Sequence, residues 1–146
     1  MPRMPEVRVA QPSDAPRVAE LMAAFRSHIG RDWPGDAEIR ATVEALLQDP
    51  NTEFMLAPAG VCQLRYRLSV WTATEDCWLE DLYVSDEARG TGMGRALIEA
   101  AFERARTRGC KRIQLDVADD NARAMDVYRA AGFGIDGNTR LITRRL

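Results

Sequence analysis

Residues 78–94 read WLEDLYVSDEARGTGMG, and this stretch decides how the rest of the chain is interpreted. The apolar run LYV predicts a strand that ends in a short acidic turn. Arg89, Gly90, Gly92 and Gly94 follow, with a helical pattern behind them. Glycines let a backbone approach a ligand closely, and a helix start presents N–H groups and the positive end of its dipole. The stretch therefore predicts a phosphate-binding loop with an arginine at its rim.

Three kinds of phosphate-binding loop can be compared with this stretch. The P-loop of NTPases has Lys and then Ser or Thr after its last glycine, whereas Arg95 and Ala96 stand here. The dinucleotide fingerprint needs a sixth-position glycine, where Leu97 stands, and an acid ending the next strand, where Asp116 stands. The P-loop is excluded. A dinucleotide or S-adenosylmethionine enzyme that uses Gly90–Gly94 and Asp116 stays open.

The third kind of loop is the pattern Arg-x-x-Gly-x-Gly, which Arg89, Gly92 and Gly94 match. A second segment, NARAMDVYRAAGF, covers residues 121–133. Its first residue, Asn121, suits a helix N-cap on local grounds. Together, in this order and at this separation, the two segments resemble the GNAT N-acetyltransferase superfamily, whose first segment binds the pyrophosphate of acetyl-coenzyme A.

The resemblance implies acetyl-coenzyme A as a co-substrate and indicates which residues bind it. The pantetheine arm would pair with the backbone of the strand that ends in LYV, and the pyrophosphate would lie on the glycine loop. The implied cofactor-binding residues are Leu82, Tyr83, Val84, Arg89, Gly90, Thr91, Gly92, Met93, Gly94, Arg95, Asn121 and Tyr128. Tyr128 is also implied as the general acid on the coenzyme A sulfur.

The predicted strand also carries the candidate general base. An amine must lose a proton before it attacks a thioester, because a lysine-like amine has a pKa of about 10.4. Alternation along the strand places Glu80 on one face with Trp78, Leu82 and Val84, and a half-buried carboxylate there suits proton transfer. Asp81 is expected on the opposite face, in a structural role.

Glu80 has a structural alternative. The neighbouring predicted strand carries Arg65 and Arg67, and an ion pair with either one would also account for a carboxylate on a half-buried strand. Both interpretations stay open at this point.

Hydrophobic periodicity and turn signals predict the element order strand, two helices, three antiparallel strands, helix, strand, helix and two final strands. The final strands are a terminal hairpin of Ile135 and Leu141–Leu146. Strands 77–84 and 112–117 are joined through a helix and should run parallel. We expect a mixed α/β, GNAT-like fold over a single domain, 1–146. Its mostly antiparallel mixed sheet would contain one splayed parallel strand pair and be flanked by about four helices.

The composition of the chain argues against several other functions. A net charge of −2 over 146 residues gives no general reason to expect nucleic-acid binding. Cys62, Cys77, Cys110 and the single histidine, His28, offer little for a zinc site or a Cys–His pair, so we expect reduced thiols and no metal. No apolar run has membrane length, and no signal-peptide pattern opens the sequence. We expect a cytoplasmic protein without a membrane partner; assembly as a homodimer stays open.

The acceptor is less well defined by the sequence. WLEDLYV resembles the corresponding stretch of diamine N-acetyltransferases. The acidic residues that would attract a cationic amine near the expected groove are Glu75, Asp76, Glu80, Asp119 and Asp120. Glu75 and Asp76 are expected to be solvated loop charges instead. The segment Ser27–Gly35, with Trp33, is expected over the acceptor site.

The expected function is acetyl transfer from acetyl-coenzyme A to a primary amine of a small molecule or peptide, by direct attack in a ternary complex. A non-catalytic acyl-coenzyme A sensor is an alternative, beside the dinucleotide or S-adenosylmethionine enzyme. Glu80 and Tyr128 argue against it, because a sensor needs neither side chain.

Overall fold

The computed structural model describes residues 5–146, which divide into two compact units after Asp116. The helices are α1 (Ala15–His28), α2 (Asp36–Leu47), α3 (Met93–Thr107) and α4 (Ala122–Ala130). The strands are β1 (Arg8–Val9), β2 (Thr52–Ala57), β3 (Gly60–Ser69), β4 (Thr74–Val84) and β5 (Ile113–Gln114). None of the helices in the described part of the chain is long and apolar enough to cross a membrane.

The strands form one sheet in the order β1-β2-β3-β4-β5. All neighbours are antiparallel except β4 and β5, which run parallel and pair only at Cys77–Ile113 and Trp78–Gln114. Within residues 5–116, no strand pairs with this edge of β4 beyond Trp78. The predicted mixed sheet with one parallel pair and the predicted number of helices, four, are confirmed.

Each face of the sheet has its own hydrophobic core. On one face, Leu64 and Leu79 pack with Leu97 of α3, and none of the three is more than 2% exposed. On the other, Phe54 packs with Val18 of α1 and with side chains of α2. Truncating a fully buried leucine to alanine costs about 2–5 kcal/mol of unfolding free energy, so these contacts hold β4 firmly between the two layers.

A β-bulge interrupts the pairing of β3 with β4. Gln63 lies opposite Asp81, and the preceding pair is Leu64 with Leu79. Glu80 is therefore the extra residue of β4, with no residue opposite it. A bulge of one residue reverses which face every later side chain occupies.

The bulge makes the predicted common face of Trp78, Glu80, Leu82 and Val84 wrong. Leu82 and Val84 pack against the same core as Leu79. Trp78, next to Leu79 in the strand, faces the opposite side, where the guanidinium of Arg67 lies 5.4 Å from its ring centroid. The alternation of the sequence fails here because the extra residue shifts the register.

The predicted terminal hairpin of Ile135 and Leu141–Leu146 is also wrong, because the chain contains no regular secondary structure after α4. Ile135 is 72% exposed and Ile142 is 90% exposed. A two-stranded hairpin needs an apolar face packed against something else, and these side chains do not provide one.

Candidate active site

The glycine loop lies between β4 and α3 and has the backbone that its sequence predicts. Gly90 and Gly92 have φ angles of 79° and 86°, in the left-handed region that glycine adopts at little cost, and Gly92 is the N-cap of α3. A Cβ built at either position would meet no described atom within 4 Å. The space in front of the loop is therefore open, and the first amides of α3 begin at its edge. This arrangement fits a phosphate group.

Arg89 lies at the rim of the loop and contacts three neighbours. Its Nε donates to the carbonyl oxygen of Val84 at 3.3 Å, and its guanidinium lies 3.3 Å from the carboxylate of Asp86. A terminal nitrogen lies 2.9 Å from Nε2 of His28. The guanidinium is thus oriented by the end of β4 and by the last residue of α1.

The other loop residues have different surroundings. The Thr91 hydroxyl donates to the carbonyl oxygen of Ala88 inside the turn. Met93 is buried in the core that α3 covers. Arg95 pairs with Glu99 at 2.9 Å along the helix surface. Of the predicted loop residues, Gly90 and Gly92 border the open space most directly.

Residues 82–84 would present their backbone to the cofactor. Leu82, Tyr83 and Val84 pair on one side with β3, at Cys62, Val61 and Gly60. Their other edge pairs with no strand in residues 5–116. An open strand edge accepts a further extended chain through its N–H and C=O groups, so β4 provides the edge that the sequence analysis predicts for the pantetheine arm.

Asn121 and Tyr128 belong to the second compact unit. The side-chain oxygen of Asn121 accepts from the N–H of Ala124 at 3.2 Å, which confirms the predicted N-cap of α4. The Tyr128 ring lies edge-on to Phe133, with centroids 5.6 Å apart. Gly132, after the helix, has a φ angle of 100°, in the left-handed region at which helices commonly end.

A cavity of about 300 Å³ lies between the sheet and helices α1 and α2. The segment expected over the acceptor site, 27–35, lines this cavity through four residues. They are Ile29, Arg31, Trp33 and Pro34. Two polar side chains come from the sheet, Gln63 of β3 and Asp81 of β4.

Asp81 has the most unusual electrostatic surroundings in the cavity. Burial, together with the smaller effect of the negative charges of Glu80 and Asp116, raises the pKa of its carboxyl group to about 6. A carboxylate with a pKa near the working pH is suited to proton transfer. The sequence analysis gave Asp81 a structural role because alternation without the bulge turns it away from the site. No sequence signal indicated the bulge.

Glu80 is exposed, and the ion pair suggested for it is absent among the described residues. Arg67 instead lies over the Trp78 ring, and Arg65 is exposed. The structural alternative for Glu80 is therefore wrong, while its role as a base stays a prediction.

Two other acidic residues are already paired. Glu75 lies 3.0 Å from Arg108, and Asp76 lies 2.7 Å from Arg112 and accepts from the Thr72 hydroxyl at 2.9 Å. The hydrogen bonds from Arg112 lower the pKa of Asp76, which is only 2% exposed. The expectation that Glu75 and Asp76 are solvated loop charges is wrong, and both stabilise the β3–β4 hairpin against the end of α3 and the start of β5. Asp119 and Asp120 are exposed.

The cysteines have no catalytic surroundings. Cys62 and Cys77 are fully buried, and Cys110 is half-buried. Burial raises the pKa of the Cys77 thiol to about 12 and that of Cys62 higher still. Both remain thiols at neutral pH, and a nucleophile would need the thiolate.

Fold and site together define an acyltransferase-like domain with a glycine loop at the end of an open strand. The Acetyltransferase (GNAT) family model matches residues 19–133, and the chain belongs to this family. Family membership favours the acetyl-coenzyme A interpretation of the loop over the dinucleotide one.

Individual relatives are named N-acetyltransferases. A thialysine N-epsilon-acetyltransferase from Bos taurus is 41% identical over 80 residues, which cover 51% of this chain and 46% of the relative. The matched region thus spans about half the length of that relative. An aminoglycoside N(6')-acetyltransferase type 1 from Stenotrophomonas maltophilia is 28% identical over 138 residues, covering 88% of this chain and 86% of the relative.

A solved structure agrees over the whole chain. A candidate acetyltransferase from Arthrobacter sp. FB24 superposes with a TM-score of 0.87 at 28% identity. The superposition covers 100% of this chain and 99% of the other.

Proposed function

We propose that the protein is an acetyl-coenzyme A-dependent N-acetyltransferase that acetylates a primary amine by direct attack in a ternary complex. The observation that carries the proposal is Asp81, a carboxylate with a raised pKa in a mostly apolar cavity. The strand that bears it also provides the open backbone edge at residues 82–84 and leads into the glycine loop. Strand β4 would therefore contribute to both the amine-binding site and the acetyl-coenzyme A site.

Acetyl-coenzyme A supplies the acetyl thioester. The glycine loop and Arg89 would hold its pyrophosphate, and the backbone of Leu82–Val84 would pair with its pantetheine arm. A backbone N–H near Leu82 would also polarise the thioester carbonyl. No covalent enzyme intermediate is required.

The proton transfers can be assigned to two side chains. The acceptor ammonium gives a proton to the Asp81 carboxylate, which is ionised at neutral pH because its pKa is about 6. The amine nitrogen then forms a bond to the acetyl carbon, and the carbon–sulfur bond breaks. The departing thiolate takes a proton from the Tyr128 hydroxyl, and the nitrogen loses its second proton as the amide forms. That second proton restores the Tyr128 hydroxyl through solvent, and Asp81 returns the first proton to solvent.

Glu80 remains the second candidate base. Because it is exposed at the bulge, it would act through a water molecule instead of directly. Asp81→Asn and Glu80→Gln are matched variants, since each replaces a carboxylate by an amide of the same size. If Asp81 is the base, Asp81→Asn removes the acidic limb of the kcat/KM profile near about pH 6 and lowers the rate by ~10²–10⁴-fold. The same loss in Glu80→Gln, with a normal profile in Asp81→Asn, would assign the base to Glu80.

The proposed function itself is tested with the donor. Acetyl-coenzyme A should raise the melting temperature, and thiol release should require an added amine. Acetyl-coenzyme A binding without thiol release for any amine tested would favour the sensor. A melting shift with a dinucleotide or S-adenosylmethionine and none with acetyl-coenzyme A would overturn the proposal.

A further inference from the structure

The cavity beside Asp81 is lined mainly by aliphatic and aromatic side chains. They come from α1, α2, β2 and the α1–α2 connection and include Met22, Phe25, Trp33, Ile39, Val43 and Phe54. We infer that the acceptor carries a single ammonium group on a compact apolar body, in contrast to a polyamine or an aminoglycoside. This inference rests on the proposed function and names the substrate class of the same site.

The charged residues that line the cavity favour the binding of one ammonium group and not of two. Asp81 is the single carboxylate among the described residues that line it, and the other charged lining residues are Arg26 and Arg31. Arg26 is held by Asp36 at 2.7 Å and by the carbonyl oxygen of Pro34 at 2.9 Å. A second ammonium inside the cavity would meet apolar walls and guanidinium groups. A buried charge without a partner is strongly unfavourable.

Gln63 completes the polar part of the cavity. It lies opposite Asp81 in the β3–β4 register and is only 5% exposed. Its side chain lines the cavity, where a buried amide normally has a hydrogen-bond partner. The amide oxygen would accept a hydrogen bond from the ammonium group that Asp81 holds. Gln63 and Asp81 together therefore provide a recognition site for one amine.

The nearby acids outside the cavity do not add a second site. Glu80 and Asp116 contribute to the raised pKa of Asp81, but both are exposed and neither lines the cavity. They favour a cation at Asp81 from a distance. The volume of about 300 Å³ lies at the small end of the range for small-molecule pockets, which suits a compact acceptor.

The first test compares two acceptors that differ by one charge. Hexylamine and 1,6-diaminohexane have the same six-carbon chain, and the second carries an additional ammonium on its terminal carbon. Thiol release by the full chain with acetyl-coenzyme A should give a kcat/KM at least about tenfold higher for hexylamine, and 2-phenylethylamine should exceed spermidine and kanamycin similarly. Equal or higher values for the diamine, spermidine or kanamycin would overturn the inference.

A charge variant tests the reason for the preference. Thr42 is exposed on α2 and lines the cavity, so Thr42→Glu adds a second carboxylate at its wall. This variant should shift the hexylamine-to-diamine ratio toward the diamine by about tenfold. Ala41→Glu is the matched control, because Ala41 is the exposed neighbour outside the lining, and its ratio should stay that of the wild type. An unchanged ratio in Thr42→Glu would contradict the charge argument.

A second variant pair tests the apolar wall. Trp33→Ala removes an aromatic side chain that lines the cavity and should raise KM for 2-phenylethylamine with little change in kcat. Trp71→Ala is the control, because Trp71 is 88% exposed at the β3–β4 turn and lies outside the lining. Equal KM values in the two variants would remove Trp33 from the acceptor site.

The same measurements distinguish a wrong acceptor class from a wrong proposed function. Activity with diamines in preference to monoamines upholds the function and overturns the acceptor class. If no amine supports thiol release, the function fails, and the acceptor class is judged by melting-temperature shifts with hexylamine and 1,6-diaminohexane. A shift with hexylamine alone supports the class, whereas equal shifts, or none with either amine, overturn it.

Discussion

Arg89 donates a hydrogen bond to Nε2 of His28, at 2.9 Å, and so connects the glycine loop to the end of α1. Arginine has no acceptor, so Nε2 must be the unprotonated nitrogen and Nδ1 carries the hydrogen. Nδ1 lies 3.9 Å from the carboxylate of Asp86, which also pairs with Arg89. His28 also lies beside Tyr83, with ring centroids 6.0 Å apart. The contact therefore joins the glycine loop to the start of segment 27–35, whose later residues line the cavity.

His28→Ala should weaken acetyl-coenzyme A binding, because Arg89 loses the neighbour that orients its guanidinium. Hydrogen bonds to charged groups contribute about 1.5–3 kcal/mol, and partial exposure reduces that here, so we expect a loss of roughly tenfold in affinity. Titration calorimetry would measure it. His28→Gln keeps an acceptor and should recover most of the affinity; equal dissociation constants for Ala, Gln and wild type would show that the contact does not position Arg89.

Asp81→Asn should make the protein more stable at neutral and alkaline pH. The folded-state pKa of Asp81, about 6, lies above its ordinary value of 3.8. Between those values the folded protein keeps a proton that the unfolded chain has lost, so stability falls as the pH rises through this window. The difference corresponds to at most roughly 3 kcal/mol above about pH 7, and it vanishes below about pH 4.

Urea unfolding at about pH 8 and about pH 4 would measure this effect. Glu80→Gln is the control, because Glu80 is exposed and its replacement should change the unfolding free energy by less than about 0.5 kcal/mol at either pH. An Asp81→Asn variant that is less stable than the wild type at pH 8 would mean that the carboxylate has a stabilising partner.

Gly92→Asp and Gly92→Asn separate backbone strain from charge repulsion at the loop. Gly92 has a φ angle of 86°, which asparagine and aspartate tolerate better than other side chains. Both variants should lose similar stability, about 1 kcal/mol. Only aspartate places a carboxylate beside the expected pyrophosphate. The rise in melting temperature caused by acetyl-coenzyme A should therefore be much smaller in Gly92→Asp than in Gly92→Asn. Equal, wild-type shifts in both variants would exclude this loop as the phosphate site.

Tyr128→Phe should lower turnover with little change in acetyl-coenzyme A affinity, because its hydroxyl is expected to act as the thiolate forms. General acid catalysis contributes typically ~10²–10⁴-fold. The ring's edge-on packing with Phe133 is kept in the variant, so α4 should remain folded. Steady-state kcat and a binding isotherm for the donor would be compared. Wild-type turnover across the pH range would leave Tyr128 as a packing residue.

The sequence by itself predicted the features that depend on residues close together along the chain. Alternation and periodicity predicted β2 to β4 and the four helices, although β5 is shorter than expected. The glycine loop was predicted because positive φ angles require glycine, and the cap at Asn121 because its side chain bonds three residues along the chain. These are local interactions, and they predicted the residues of the proposed donor site.

The cavity proposed as the acceptor site became visible only in the tertiary structure. The bulge at Glu80 depends on the pairing of β4 with β3, and it turns Asp81 toward the cavity. The pKa of Asp81 depends on burial among α1, α2 and the sheet. Glu75 and Asp76 are paired with arginines that lie more than 30 residues away in the sequence. A register shift of one residue reverses every later side chain, and burial is set by elements distant in sequence. For this reason the spacing of residues indicated Glu80 as the candidate base on β4, whereas the structure adds the neighbouring Asp81 as a second candidate.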